Sequence, residues 1–529
     1  MNKLKNKIIA GIFVLLTATS CFNDLDVVPL DQNVVTSASV YDDPGAYKQV
    51  LAKLYAVLAL SGQSGPDGQP DISGIDEGFS NYIRQYWKAQ QLTTDETIIA
   101  WKDGTIHDLH NQVWTPSNEF ITAMYNRIFY MVSLSNEFLR ESTTEKLNER
   151  SVPDDIKADV QVYRAEARLL RAMAYYHALD MFGNVPFVTE ADGVGAFLPQ
   201  QIERADLFSF VESELLAIES ELLDAGQNVY GRVDKGAAWM LLSKLYLNAE
   251  VYIGADKYDE AIVYSSKVAN AAYALETEYS NLFTADNGNA SGIIFAVPFD
   301  GDRTRTWGGM TFLIHASVGG TMDPKGFGID GGWWGLRTTE AFVDKWADIS
   351  GNTDARAMMH TDGQTLEIDD PFEFTQGYAI TKYTNMNSNG SAGQREDFPD
   401  TDFVMFRLAD AYLMYAEAVL RGGSGGDVTT ALGYVNALRN RAYGDNSGNI
   451  AAGDLTLDFV LDERSRELYW EGHRRTDLIR FGKFSESDYV WPWKGGVRDG
   501  VSTNSKFDLF PIPSSDMGAN TNLKQNTGY

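Results

Sequence analysis

Four of the eleven tryptophans occupy surroundings that core packing explains poorly. Trp307 stands in RTRTWGGMTF, Trp333 and Trp334 in DGGWWGLRT, and Trp101 in DETIIAWKDG. A glycine beside an indole gives it no side chain to pack on and leaves the ring accessible. An accessible flat ring suits the apolar face of a sugar, with neighbouring polar groups bonding the hydroxyls. The same pattern also anchors loops, the ring folding back onto a scaffold, and the residues alone leave both readings open.

Other chemistry-bearing patterns are weaker. Six histidines are scattered at 107, 110, 177, 315, 360 and 473. His107 and His110 have the spacing to hold a metal on one helical turn, but no third ligand accompanies them. GFGIDG (326–331) fits G-x-G-x-x-G as a string. It lacks the preceding strand and following helix of a dinucleotide site and reads as a loop. There is no HExxH and no GK[ST]. The 73 Asp+Glu guarantee chance carboxylate pairs. None stands isolated at the end of an apolar strand, the setting that would suggest a glycoside hydrolase's paired acids.

The elements that must position these residues read as mainly helical. Helical spacing runs through 47–60, 121–139 and 156–182. Two helix pairs then look alike, 237–252 with 258–272 and 406–420 with 428–442. In the first, Ala238, Leu241, Leu242, Leu245 and Tyr246 form the stripe of a packed face. The pairs resemble tetratricopeptide units, though degenerate and not in tandem, and predict a scaffold rather than a free solenoid. Between them, about 280–405, helical periodicity fades and Gly, Trp, Thr and Asp rise. That region reads as loops, short strands and short helices on the scaffold, where function tends to sit. Residues 61–78, SGQSGPDGQPDISGIDEG, form a further long loop, and helix returns at 459–471.

Charge and cysteine usage bound the partners. With 44 Lys+Arg against 73 Asp+Glu the chain carries −29, which disfavours nucleic acid and anionic membrane surfaces. One cysteine excludes a disulfide framework and any Cys-clustered zinc site. That cysteine, Cys21, follows a lysine-bearing start, an apolar run from Ile8 to Leu16 and the small residues Ala18, Thr19 and Ser20. The pattern predicts a secretory signal over 1–20, too short to be a membrane span. It resembles a lipobox, with Cys21 the lipidated first residue of the mature chain and 21–45 a lipid-anchored tether. Residues 46–529 then form one domain. No later run approaches membrane-spanning length.

The segment DERSRELYWEGHRRTDLIRFGKF (462–484), the terminal FPIPSSDM (510–517), FRLADAYLMYAEA and the lipoprotein signal together resemble the SusD/RagB family of outer-membrane lipoproteins of Bacteroidetes. The resemblance covers nearly the whole chain. WTPS (114–117), PDTDFVMFRLADAYL and VWPWKGG look close to the family's starch-binding member. It implies a non-catalytic glycan-binding protein on the cell exterior, partnered with a SusC-like TonB-dependent transporter, and it favours an α-glucan ligand. By position it places Trp307 and Trp333 in an aromatic arc with Arg84 as a sugar contact. The third arc position falls at the non-aromatic Ile99, with Trp101 two residues on, and a sugar-contacting asparagine falls near Gly104. The departures keep a β-glucan or fructan open, as well as a mainly structural lid on the transporter. The resemblance also implies a structural calcium site at Asp400 and Asp402, with a third ligand near Asp286 to Gly288. PDTD reads equally as a turn capping the next helix.

Overall fold

A computed structural model describes residues 40–195 and 197–529. The expected signal, Cys21 and most of the tether lie outside the described residues. Helix α1 (Ala46–Ala59) leads into the 61–78 loop and α2 (Tyr82–Trp87). Helices α3 (Glu119–Glu141) and α4 (Asp154–Met181) pack against each other, and α5 (Arg204–Ile218) packs on α4. Sequence dictates their starts. Asn118 accepts from the backbone N–H groups of Phe120 and Ile121, and α4 opens after Pro153 with Asp154 and Asp155 at its positive end.

The repeated pairs are α6 (Lys235–Leu247) with α7 (Tyr258–Ala269), and, further along, α9 (Leu408–Leu420) with α10 (Val428–Tyr443); the intervening α8 spans Gly309–Ser317. Helix α7 packs on both α6 and α9, so the two pairs stack in space although a long irregular segment separates them in sequence. The mainly α scaffold of tetratricopeptide-like pairs is therefore present. Among the described residues no helix is long and apolar enough to cross a membrane.

Several helix bounds differ from the sequence expectation (the helix expected over 258–272 ends at Ala269), and three differ for a visible local reason. The helix expected over 237–252 breaks at Asn248, whose Nδ2 donates to the Lys244 carbonyl at 2.8 Å while its Oδ1 accepts from Arg480 at 2.8 Å. The helix expected from 406 starts at Leu408, because Phe403–Arg407 is a fully buried strand. The helix expected over 459–471 is α11 (Leu457–Leu468), and α12 (Arg474–Arg480) follows it. Between them Trp470 takes a left-handed backbone, φ 64°, and its carbonyl accepts from the Trp87 indole at 2.8 Å.

The irregular region is tied down by two-stranded ladders. Strand β1 (Ile98–Ile99) pairs antiparallel with β3 (Leu336–Arg337), and β2 (Ile293–Val297) with β4 (Phe403–Arg407).

The 462–484 motif builds a buried ion-pair network. Arg356 reaches Glu463 at 2.8 Å and Glu467 at 3.0 Å, Arg407 reaches Glu467 and Glu471 at 2.6 Å each, and Lys382 reaches Glu471 at 2.7 Å. Arg464 bridges Asp410 at 2.9 Å and Asp477 at 2.8 Å, and Arg480 meets Glu417 at 2.6 Å. Charges in the interior persist only when paired and hydrogen-bonded, and here nearly every carboxylate oxygen has a cationic partner. This network joins the C-terminal segment to the stacked pairs; it holds the scaffold and none of the exposed indoles.

Candidate functional site

The two-residue ladder of β1 with β3 is what brings distant tryptophans together. Ile98 is opposite Arg337 and Ile99 opposite Leu336, and the register continues as the Ala100 N–H donates to the Gly335 carbonyl at 2.8 Å. Trp101, just past β1, therefore meets Trp333, just before β3. The Trp101 Nε1–H donates to the Trp333 carbonyl at 2.8 Å, and the ring centroids lie 6.2 Å apart at 45°. Only glycine fits at 335, since a Cβ there would approach Trp101 Cε2 to 2.7 Å.

Trp307 enters from the turn before α8. Its centroid lies 6.2 Å from that of Trp333, the planes at 61°. The Trp333 backbone N–H donates to the His315 carbonyl at 2.7 Å, and the His315 ring stacks on the indole at 4.8 Å and 28°. Trp307 leans on Phe398, centroid to centroid 4.9 Å, and its Nε1–H donates to Asp67 Oδ2 at 2.6 Å. The result is a contiguous series, Trp307, Trp333 and Trp101, each ring half-buried and tilted against the next. Successive tilts of 61° and 45° make this platform bent rather than flat. Ile99, the expected third arc position, is wholly buried in the ladder, and Trp101 supplies the third ring.

Arg84 lies beneath the platform and is 8% exposed. Its Nη1 donates to the carbonyls of Trp307 at 2.9 Å and Gly78 at 3.2 Å, and its guanidinium sits 4.4 Å over the Phe312 ring and 5.9 Å from Trp101. Burial lowers its pKa to about 10, with Asp103 and Asp76 opposing, so it stays charged at neutral pH. At Gly104, φ 47°, the position where the resemblance puts the family's sugar-contacting asparagine, a Cβ would collide with the Glu119 carboxylate.

The three acids expected to hold calcium are each engaged by other groups of the protein. Among the described residues no group of three or more His, Cys, Asp or Glu is placed to hold a metal. Asp402 Oδ1 accepts from the Phe299 N–H at 2.8 Å and Oδ2 from the Tyr230 hydroxyl at 2.7 Å. Asp400 is engaged by the Gly301 N–H at 2.8 Å and by Gln394, and Asp286 by neighbouring Thr284 and by Ser388 from a segment far along the chain. Gly288 does face Asp402, a Cβ there lying 3.5 Å from Oδ2, and brings no side-chain ligand, only its backbone carbonyl. Burial raises the Asp402 pKa to about 6, with the bonds from the Phe299 N–H and the Tyr230 hydroxyl opposing.

Among the described residues no further His, Cys, Asp or Glu joins His107 and His110 as a third ligand. The His107 ring bonds to the Trp101 carbonyl, and His110 is buried with neither ring nitrogen paired. The string GGSGG (422–426) has G-x-S-x-G spacing, but it turns between two helices, and Ser424 Oγ bonds only the Asp259 carboxylate. A groove of about 790 Å³ lies elsewhere, between α3 and the 186–199 loop, and contains none of the three arc rings.

Sequence reasoning missed Asp67, His315, Phe312 and Phe398 as supports of the rings. No local pattern marks them, because each acts across a contact between segments far apart in the chain.

Comparison with known proteins gives a consistent picture. A model of the SusD family matches residues 363–529, and a model described as "Starch-binding associating with outer membrane" matches 74–247. The chain is 35% identical to the starch-binding protein SusD of Bacteroides thetaiotaomicron, over 99% of both chains. It is 25% identical to a SusD-like protein of Bacteroides ovatus, covering 91% of this chain and 83% of that one. Among solved structures, a SusD superfamily protein of Bacteroides vulgatus superposes with a TM-score of 0.70 at 19% identity, covering 92% of this chain and 99% of that one. Surface glycan-binding protein A of B. thetaiotaomicron, in complex with laminarihexaose, gives 0.67 at 20% identity, covering 91% and 98%.

Proposed function

The chain belongs to the SusD/RagB family, and from that premise we propose that it is a glycan-binding protein of the cell surface whose ligand is a starch-type α-1,4-glucan. The observation that carries the reading is the contiguous, bent series of Trp307, Trp333 and Trp101. A helical glucan presents the apolar faces of successive sugars around a curve, and successive tilted rings match such a curve better than a straight chain. Stacking contributes roughly 0.5–1.5 kcal/mol per well-placed ring beyond its buried area. The mechanism is stacking and hydrogen bonding without covalent chemistry. The 35% relative is named for starch binding, which supports the same ligand.

Family membership and the lipobox-like Cys21 support an outer-membrane lipoprotein facing outward and working with a SusC-like TonB-dependent transporter in oligosaccharide uptake. Calorimetric titration with maltoheptaose and α-cyclodextrin tests the ligand; binding of both establishes a curved α-glucan site. A second reading, a β-1,3-glucan, is favoured by the laminarihexaose complex of the structural neighbour. Binding of laminari-oligosaccharides alone selects it.

A further inference from the structure

Trp334 is half-exposed, 51%, and is the one tryptophan among the large apolar side chains exposed in the described residues. Its backbone is left-handed, φ 53°, a conformation that disfavours bulky side chains. Two other tryptophans share that strain, and each has a visible return. Trp470 donates its indole N–H to the Glu96 carbonyl at 3.2 Å, and Trp493 donates to the Ile368 carbonyl at 2.9 Å. The Trp334 indole N–H has no acceptor among the described residues, so the strained conformation gains no such bond inside the fold.

Several features nevertheless hold the ring outward. The Trp334 N–H donates to the Val318 carbonyl at 3.1 Å. The ring rests on buried Phe374, centroids 5.8 Å apart at 50°, in a space that exists only because residue 319 is glycine: a Cβ there would lie 2.8 Å from Trp334 Cγ. Trp334 directly follows Trp333 and precedes Gly335, which lies against Trp101. An exposed indole that is held, strained and unpaired, next in the chain to a ring of the platform, has the properties of a ligand contact.

We propose that Trp334 forms a separate sugar subsite flanking the three-ring platform, stacking on a glucose unit beyond those the platform covers and donating its Nε1–H to a hydroxyl. The inference rests on the glycan-binding reading above. It makes Trp334 a determinant of chain length: a long oligosaccharide engages it, and a short one held on the platform does not.

Calorimetric titration of wild type, W334N, W334F and W333A with maltotriose and maltoheptaose tests this. Asparagine tolerates the left-handed backbone, so W334N removes the ring without adding strain, and its Tm should match or exceed that of wild type. The expected result is a roughly three- to tenfold weaker maltoheptaose Kd in W334N, unchanged maltotriose affinity, and partial recovery in W334F. Unchanged maltoheptaose affinity in W334N, with binding lost in W333A, overturns the subsite and leaves the proposed function standing. Equal weakening toward both ligands overturns the separate subsite and merges Trp334 into the platform. A wild type that binds neither maltoheptaose nor laminari-oligosaccharides overturns both readings.

Discussion

The Trp307 indole N–H points at Asp67 Oδ2 from 2.6 Å, binding the 61–78 loop to the first ring of the platform. The loop is itself folded back: the Gly68 N–H donates to Glu77 Oε2 at 2.7 Å, and Lys53 holds Asp71 at 3.0 Å. A ring fixed before the sugar arrives loses less freedom on binding. D67A should therefore weaken maltoheptaose binding roughly three- to tenfold, and D67N, which keeps an acceptor, should restore most of it. Near-UV circular dichroism without ligand should change in D67A and not in D67N. An unaltered D67A spectrum and affinity would show that the loop does not orient the ring.

W307A and W333A should each weaken glucan binding by at least about tenfold while moving Tm little, because both rings are only partly buried and lie at the surface of the irregular region. Titration and thermal unfolding of the same preparations check this.

Arg84 should behave differently from the rings. Its guanidinium holds the Gly78 and Trp307 carbonyls from a nearly buried position. R84A should cost about 2–3 kcal/mol of stability, seen in denaturant unfolding, as well as affinity, because two carbonyls lose a charged donor. The resemblance placed Arg84 beside the sugar; the geometry adds a supporting role under the platform that no local motif displays.

What the sequence displays and what it hides divide along physical lines. The 462–484 motif is conspicuous because a buried network of Arg and Glu needs many charges at fixed spacing, and that makes the family recognisable. Helix pairs are legible from their periodicity, and their ends are less so: Asn248 breaks a helix through a bond to Arg480, a residue far along the chain. The glycine-flanked tryptophans mark accessible rings in the sequence, while leaving loop anchoring open beside ligand contact. Their supports, Asp67, His315 and Phe398, are ordinary residues whose role exists only once the β1–β3 ladder and the loop are folded.

Asp402 gives a test of whether the expected acids hold a cation. Its folded pKa, about 6, lies above that of an unfolded aspartate, so the folded protein holds the proton more tightly. Raising pH from about 4 to about 6 should remove up to roughly 3 kcal/mol through this group. D402N should flatten that part of the stability profile, and EDTA should leave Tm unchanged at pH 7. A marked fall in Tm with EDTA, restored by calcium, would show that the acids rearrange around a cation.

The opposite sign applies to Glu463. Burial pushes its pKa up, but Arg356, Arg466 and Arg439 together hold it down at about 2. Its contribution is present above the unfolded value near 4.5 and is lost as pH falls toward 2. E463Q should destabilise the protein at pH 7 by about 3–5 kcal/mol, leaving buried arginines short of charge, and should reduce the acid-induced loss. Denaturant unfolding across pH checks both.

The most direct measurement is calorimetric titration of the soluble chain beginning after Cys21 with maltoheptaose, α-cyclodextrin and laminari-oligosaccharides in parallel, for wild type and W333A. The account predicts that wild type binds the first two and that W333A loses both. Wild-type binding that persists undiminished in W333A, or no binding to any of the three, would contradict it.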